Sequence, residues 1–286
     1  MKRRLIITVA LVLQIVFAYA AKVDTVNTTS ASMHKTIKAV VILPDAYNTK
    51  KRYPVVYLLH GYSGNYADWI TKATSVAANS DLYNLIIVCP DGDYNSWYFD
   101  SPVDSSKRYE TYISKELIGF IDNHYATVAL PQGRAITGLS MGGHGALYLS
   151  TRHPDLFCAA GSMSGALDLN TTHWKISPDF AKQIAPQFER ILGPTGATPD
   201  LYAANSVVNL ADKMKTNGLK LIIDCGVDDF LIEPNRELHR RLVYNQTTHD
   251  YTEHPGGHTW EYWENSLPYH VLFFHKILKE NGVAVQ

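Results

Sequence analysis

Residues 134–145 read Arg134-Ala135-Ile136-Thr137-Gly138-Leu139-Ser140-Met141-Gly142-Gly143-His144-Gly145. A short apolar run enters G-x-S-x-G, and Ala146, Leu147 and Leu149 then continue as a helical pattern toward His153-Pro154. Strand, sharp turn and helix in that order hold a serine with its hydroxyl exposed. The residues two before and two after Ser140 are glycines because side chains there would strike the flanking strand and helix. The helix start lies beneath the serine, which aims the backbone N–H of Met141 at an incipient oxyanion.

Working outward, similar apolar runs recur at 55–59 (VVYLL), 85–89 (LIIVC) and 220–225 (KLIIDC), bounded by Gly, Pro or Asp. Continuous apolar runs are expected of strands buried on both faces of a parallel sheet. Ile37, Ala39, Val41 and Leu43 alternate as a half-exposed strand does, and Pro44 ends it. Ile113, Leu117 and Ile121 recur at helical spacing between runs, and Leu272, Phe273, Ile277 and Leu278 form the last apolar face. This alternation specifies an α/β fold with a mostly parallel central sheet, helices on both faces and ligands at the carboxyl ends of the strands. Residues 168–212, with Pro178, Pro186, Pro194 and Pro199 around a helix near 180–192, read as a small lid inserted over one edge of the site. No repeat or low-complexity linker interrupts the chain.

A serine needs a base and an acid that orients the base, and in this fold they follow it as acid and then histidine. Among twelve histidines, His258 follows Pro255-Gly256-Gly257 and precedes Thr259-Trp260, where glycines let a loop turn an imidazole inward. His60 and His144 fall in the wrong order and are assigned structural hydrogen bonds, and nothing local positions His249, His254 or His270. For the acid, Asp228 and Asp229 both follow the run 221–225 and Gly226, and local physics does not choose between them. A second oxyanion donor is expected from Leu59-His60-Gly61-Tyr62, through the N–H of Tyr62. Cys158, Cys225 and the scattered histidines lack metal-ligand spacing, so no metal or organic cofactor is expected.

The first twenty residues are of another kind. Lys2, Arg3 and Arg4 precede an apolar run from Leu5 to Ala18, broken only by Thr8 and Gln14, and then Ala18-Tyr19-Ala20. This is the pattern of a secretory signal peptide cleaved after Ala20, with an exported, periplasmic or extracellular product. The run is too short for a membrane anchor, which needs about 20 apolar residues. Cleavage would leave 266 of the 286 residues, with 23 basic side chains (26 less those three) against 27 acidic, a net −4. That charge excludes a basic nucleic-acid binder. Residues 21–32 are small and polar and read as a loose lead-in to one domain at 33–286. Three cysteines, an odd number, do not make a disulfide scaffold.

These motifs together resemble the putative-esterase family of α/β hydrolases, which includes S-formylglutathione hydrolase, feruloyl and acetylxylan esterases, and the mycolyltransferases. The resemblance rests on Tyr53–Gly61, Pro90-Asp91-Gly92, Asn95-Ser96-Trp97-Tyr98, Glu110-Thr111-Tyr112, Gly138–Gly143, Gly226–Asp229 and Gly257-His258, and spans about residues 33–280. It implies the α/β-hydrolase fold and a Ser140–His258–Asp229 triad, because the family's acid stands three residues after the strand-end glycine. Asp228 is then the alternative. It also implies Trp97 and Tyr98 as substrate contacts at the mouth of the site, while Glu110 is assigned a structural role. The implied reaction is ester hydrolysis, and export directs it to acetyl or feruloyl groups on plant polysaccharide or its oligosaccharides. S-formylglutathione thioester hydrolysis, acyl transfer, and a non-catalytic carbohydrate-binding module on the same fold are the competing readings.

Overall fold

The computed structural model describes residues 21–284, so the signal-peptide reading of 1–20 lies outside the described residues. One sheet holds eight strands: β1 (Lys22–Ser30), β2 (Lys35–Leu43), β3 (Val55–Leu59), β4 (Ile86–Pro90), β5 (Arg134–Gly138), β6 (Ala159–Met163), β7 (Lys220–Gly226) and β8 (Asp250–His254). Their order across the sheet is β1-β2-β4-β3-β5-β6-β7-β8. The pairs β1–β2 and β2–β4 are antiparallel and the remaining five are parallel.

Alternation along the central strands divides their side chains between two cores. Val55, Tyr57 and Leu59 of β3 face one core, while Val56 and Leu58 face the other. Ile86 and Val88 of β4 likewise oppose Ile87 and Cys89. Both faces are therefore apolar, which is why these runs are continuous rather than alternating.

Among the described residues ten α-helical segments connect or flank the strands. They are α1 (Asp68–Lys72), α2 (Ser75–Tyr83), α3 (Tyr109–Thr111), α4 (Ile118–His124), α5 (Met141–Arg152), α6 (Pro178–Leu192), α7 (Pro199–Asn205), α8 (Ala211–Thr216), α9 (Ile232–Tyr244) and α10 (Trp260–Glu280). A π-helical stretch, Tyr112–Leu117, joins α3 to α4. Residues of α1, α2 and α10 share a core with Val56 and Leu58, whereas α4, α5, α6 and α9 share the opposite one. The inserted segment between β6 and β7 carries α6, whose first turn is set by Pro178 and by Ser177 Oγ accepting from the Phe180 N–H.

Residues 21–32 depart from the sequence reading: most of them form β1 rather than a loose lead-in. Asp24, Val26, Thr28 and Ser30 turn inward in alternation, and the last two are buried. Thr28 Oγ1 donates to the Ile37 carbonyl (2.8 Å), and Ser30 Oγ donates to Glu116 (2.6 Å). Short polar side chains look unstructured in one dimension, and these acquire their role from partners distant in the chain. The second half of β2 also differs, because residues 39–43 are buried on both faces where helices cover the antiparallel end of the sheet.

Candidate active site

Ser140 sits between β5 and α5 with φ 55° and ψ −116°, a costly conformation for a residue with a Cβ. The turn beneath it leaves no room for side chains. A Cβ on Gly142 would lie 2.5 Å from the Leu59 carbonyl oxygen and 2.6 Å from that of His60. The Ser140 N–H donates to the Met163 carbonyl on β6 (2.9 Å), tying the turn to the sheet.

His258 lies in the loop after β8, one residue before the cap of α10. Thr259 Oγ1 accepts from the Tyr262 N–H (3.3 Å), which fixes where the helix begins and thus where the loop ends. Asp229 follows β7 in a turn closed by its N–H bonding the Gly226 carbonyl (3.0 Å). The three side chains converge: His258 Nε2 is 2.9 Å from Ser140 Oγ, and Nδ1 is 2.9 and 3.1 Å from the two oxygens of Asp229. A carboxylate at Nδ1 selects the tautomer that carries its proton there and leaves Nε2 free to accept from the serine hydroxyl. Asp229 is buried and also accepts from the Leu231 N–H (2.8 Å), whereas Asp228 is exposed. Phe230 and Trp263 flank the imidazole, with ring centroids 4.4 and 4.8 Å away.

Gly61 and Tyr62, on the loop after β3, border the same cleft as Ser140, and Met141 opens α5. Neither the Tyr62 nor the Met141 N–H has an assigned backbone or side-chain acceptor among the described residues outside regular secondary structure. Two free donors beside the Ser140 hydroxyl form the arrangement that a tetrahedral oxyanion requires.

The cleft is open, about 270 Å³, and strongly aromatic around Ser140. Trp97, Trp174, Phe180, Phe230, Trp260 and Trp263 line it. Trp174, Phe180 and Ile184 come from the inserted segment, so that segment builds part of the wall. The sequence reading placed this insertion over one edge of the site but not these side chains in it, because an insertion has no strand or motif to register it against the serine. Phe230, the residue after Asp229, was likewise not singled out in the sequence.

Of the two residues that the resemblance implied as substrate contacts, Trp97 lines the cleft and Tyr98 does not. Tyr98 is fully buried and its hydroxyl donates to the His60 carbonyl (3.0 Å), so it braces the loop from behind instead of meeting substrate. Both residues have positive φ, 55° and 60°, and this reverses the chain so that adjacent side chains point apart. His60 accepts the Gly92 N–H at Nε2 (2.7 Å) and donates from Nδ1 to the Gly61 carbonyl (2.8 Å), a purely structural arrangement. Glu110 binds Arg152, His153 and Tyr148. Burial pushes its pKa up, but those donors outweigh burial and hold the carboxyl below its usual range. Cys89, Cys158 and Cys225 are free thiols, all pushed up by burial, Cys158 to about 11. Among the described residues no three His, Cys, Asp or Glu side chains cluster as metal ligands. No described helix is long and apolar enough to cross a membrane.

His144, one turn into α5, is fully buried, and burial presses its pKa down to about 4 against a donor bond to the Asn205 carbonyl. The unfolded chain binds this proton below pH 6.5 and the folded protein does not until about pH 4. Stability from the neutral ring is therefore complete above pH ~6.5 and is lost as pH falls toward 4, by about 3 kcal/mol. His144→Gln keeps a donor for Asn205 and should flatten the fall in melting temperature across that window. An unchanged slope would show that other groups govern the acid transition.

A mostly parallel central sheet with helices on both faces, and a sharp strand–turn–helix holding Ser140 after β5, define an α/β hydrolase. Residues 30–274 match the family described as Putative esterase, and the chain belongs to it. An acetyl esterase of Caldicellulosiruptor saccharolyticus is 30% identical over 256 residues, covering 85% of this chain and 94% of the relative. A solved ferulic acid esterase superposes with a TM-score of 0.76 at 30% identity, over 91% of this chain and 99% of its own. An S-formylglutathione hydrolase from Staphylococcus aureus shares the fold at 21% identity, with a TM-score of 0.74 over 89% of this chain and 99% of its own. The protein is a carboxylic ester hydrolase.

Proposed function

We propose that the protein is an exported serine esterase that removes acetyl or feruloyl groups from plant polysaccharide or its oligosaccharides. The observation that carries this reading is the continuous Ser140–His258–Asp229 hydrogen-bond chain at the floor of an aromatic cleft. Ser140 attacks the ester carbonyl as His258 takes its proton, and Asp229 stabilises the resulting imidazolium. The N–H groups of Tyr62 and Met141 hold the oxyanion, and His258 then protonates the departing sugar alkoxide. Water activated by His258 attacks the acyl-enzyme and releases the acid.

Aromatic walls suit both halves of such a substrate, since indole and phenyl faces bury aryl rings and the apolar faces of sugars. The acetyl and ferulic acid esterases at 30% identity support an ester of this class. The Lys-Arg-Arg head and apolar run of residues 2–18 support export, away from the cytosol where glutathione thioesters occur. Side-by-side assay of acetate and ferulate release from xylan fragments, with S-formylglutathione as control, tests the substrate. Release of either acid should exceed thioester turnover; preference for the thioester overturns the polysaccharide assignment. Transfer of the acyl group to an added sugar in preference to water would redirect the reading to an acyltransferase.

A further inference from the structure

Behind the cleft, a second polar chain runs through an otherwise apolar core. His270 Nε2 lies 2.6 Å from Asp224 Oδ2, and Nδ1 lies 2.9 Å from Thr137 Oγ1. Ser266 Oγ donates to the other Asp224 oxygen (3.0 Å). His270 and Thr137 are wholly inaccessible, and Asp224 and Ser266 nearly so. We infer that Thr137, Asp224 and His270 form a positioning clamp that fixes the relative placement of Ser140, Asp229 and His258. The inference rests on the serine-esterase reading of those three residues.

Connectivity is the first ground. Thr137 is on β5, three residues before Ser140; Asp224 is on β7, five before Asp229; His270 is on α10, twelve after His258. The clamp therefore joins, one to one, the three elements from which the triad projects. The sheet separates two of them, because β6 lies between β5 and β7. A rigid imidazole spans that gap, bonding one strand from each nitrogen. Gly161 on β6 admits the ring: a Cβ there would lie 2.4 Å from His270 Nδ1 and 2.8 Å from Thr137 Oγ1.

Energetics is the second ground. Apolar side chains of the same volume would fill this core without the cost of desolvating a carboxylate, so stability alone does not call for the chain. Directional bonds do what apolar contacts do not: the ring satisfies both partners only at one separation of β5, β7 and α10. Slack there would reach the 2.9 Å contact between His258 and Ser140. Misplacing reacting groups by ~1 Å costs on the order of 100-fold in rate.

Thr137→Val is isosteric and cuts only the β5 bond; His270→Phe cuts both bonds of the imidazole, and Asp224→Leu cuts the β7 bond. Steady-state hydrolysis of an aryl acetate should show kcat reduced ~10- to 100-fold with KM within about threefold, in variants that still melt cooperatively. In wild-type protein carrying 15N-histidine, the Nδ1–H of His258 should give a resolved downfield signal. Thr137→Val should broaden or shift it, although the Thr137 side chain bonds His270 and not His258. Loss of melting temperature with kcat and that signal unchanged would reduce the cluster to core structure and overturn the clamp. Absence of ester turnover in wild type is a different failure, that of the esterase reading, and the His258 signal still reports on the clamp in that case.

Discussion

Ser140→Ala should lower kcat/KM for an aryl acetate by about 10⁴- to 10⁶-fold while leaving the folded protein intact. The hydroxyl's assigned side-chain partner is His258, so its removal orphans no other buried group. Alanine also has a Cβ, so the strain at φ 55° is neither relieved nor increased. The residual rate is as informative as the loss. If the Tyr62 and Met141 N–H groups still polarise a bound carbonyl, Ser140→Ala should retain hydrolysis above the uncatalysed rate. His258→Ala should cost about as much as Ser140→Ala, and the double variant little more, because nucleophile and base act as one unit. Additive losses would mean that the two residues serve separate steps. Wild-type activity no greater than that of Ser140→Ala would remove the enzyme mechanism and leave a binding module on a hydrolase fold.

What could be read from the sequence follows from how local each constraint is. The glycines around Ser140 record a steric requirement within five residues, so the serine turn and its flanking strand and helix were legible. The runs of β3, β4 and β7 record burial on both faces and were legible for the same reason. His258 was reachable through Gly256-Gly257, which mark a loop able to turn inward. By contrast, β1 offered Thr28 and Ser30 in place of a hydrophobic alternation, and their partners, Ile37, Tyr112 and Glu116, lie up to 86 residues away. The orientation of Tyr98 depended on two consecutive left-handed residues in a loop without a glycine at either position. His270 stood in a helix with nothing nearby to mark it, since both of its bonds cross to strands more than forty residues earlier. Trp174 and Phe180 met the cleft only because the insertion folds back over the sheet. Information of that kind resides in tertiary packing, not in spacing.

The neighbouring carboxylates Asp228 and Asp229 give the sharpest contrast a single-atom change can produce. Asp229→Asn should reduce kcat about 10⁴-fold with little change in KM, because the amide carries no charge to stabilise the imidazolium. It can also present its NH₂ to His258, which forces the proton onto Nε2 and leaves the serine hydroxyl without an acceptor. The packing should survive, since Asn has the same shape and its carbonyl oxygen can still accept from the Leu231 N–H, the bond Asp229 makes at 2.8 Å. Asp228→Asn should stay within about twofold of wild type: the carboxylate is exposed, and its backbone N–H, bonded to the Gly256 carbonyl at 3.0 Å, is untouched by the substitution. That same backbone bond anchors the loop leading to His258, so Asp228→Pro, which deletes the N–H, should impair activity where Asp228→Asn does not. A greater loss for Asp228→Asn than for Asp229→Asn would reverse the assignment, and would require the loop to turn by one residue in the working enzyme.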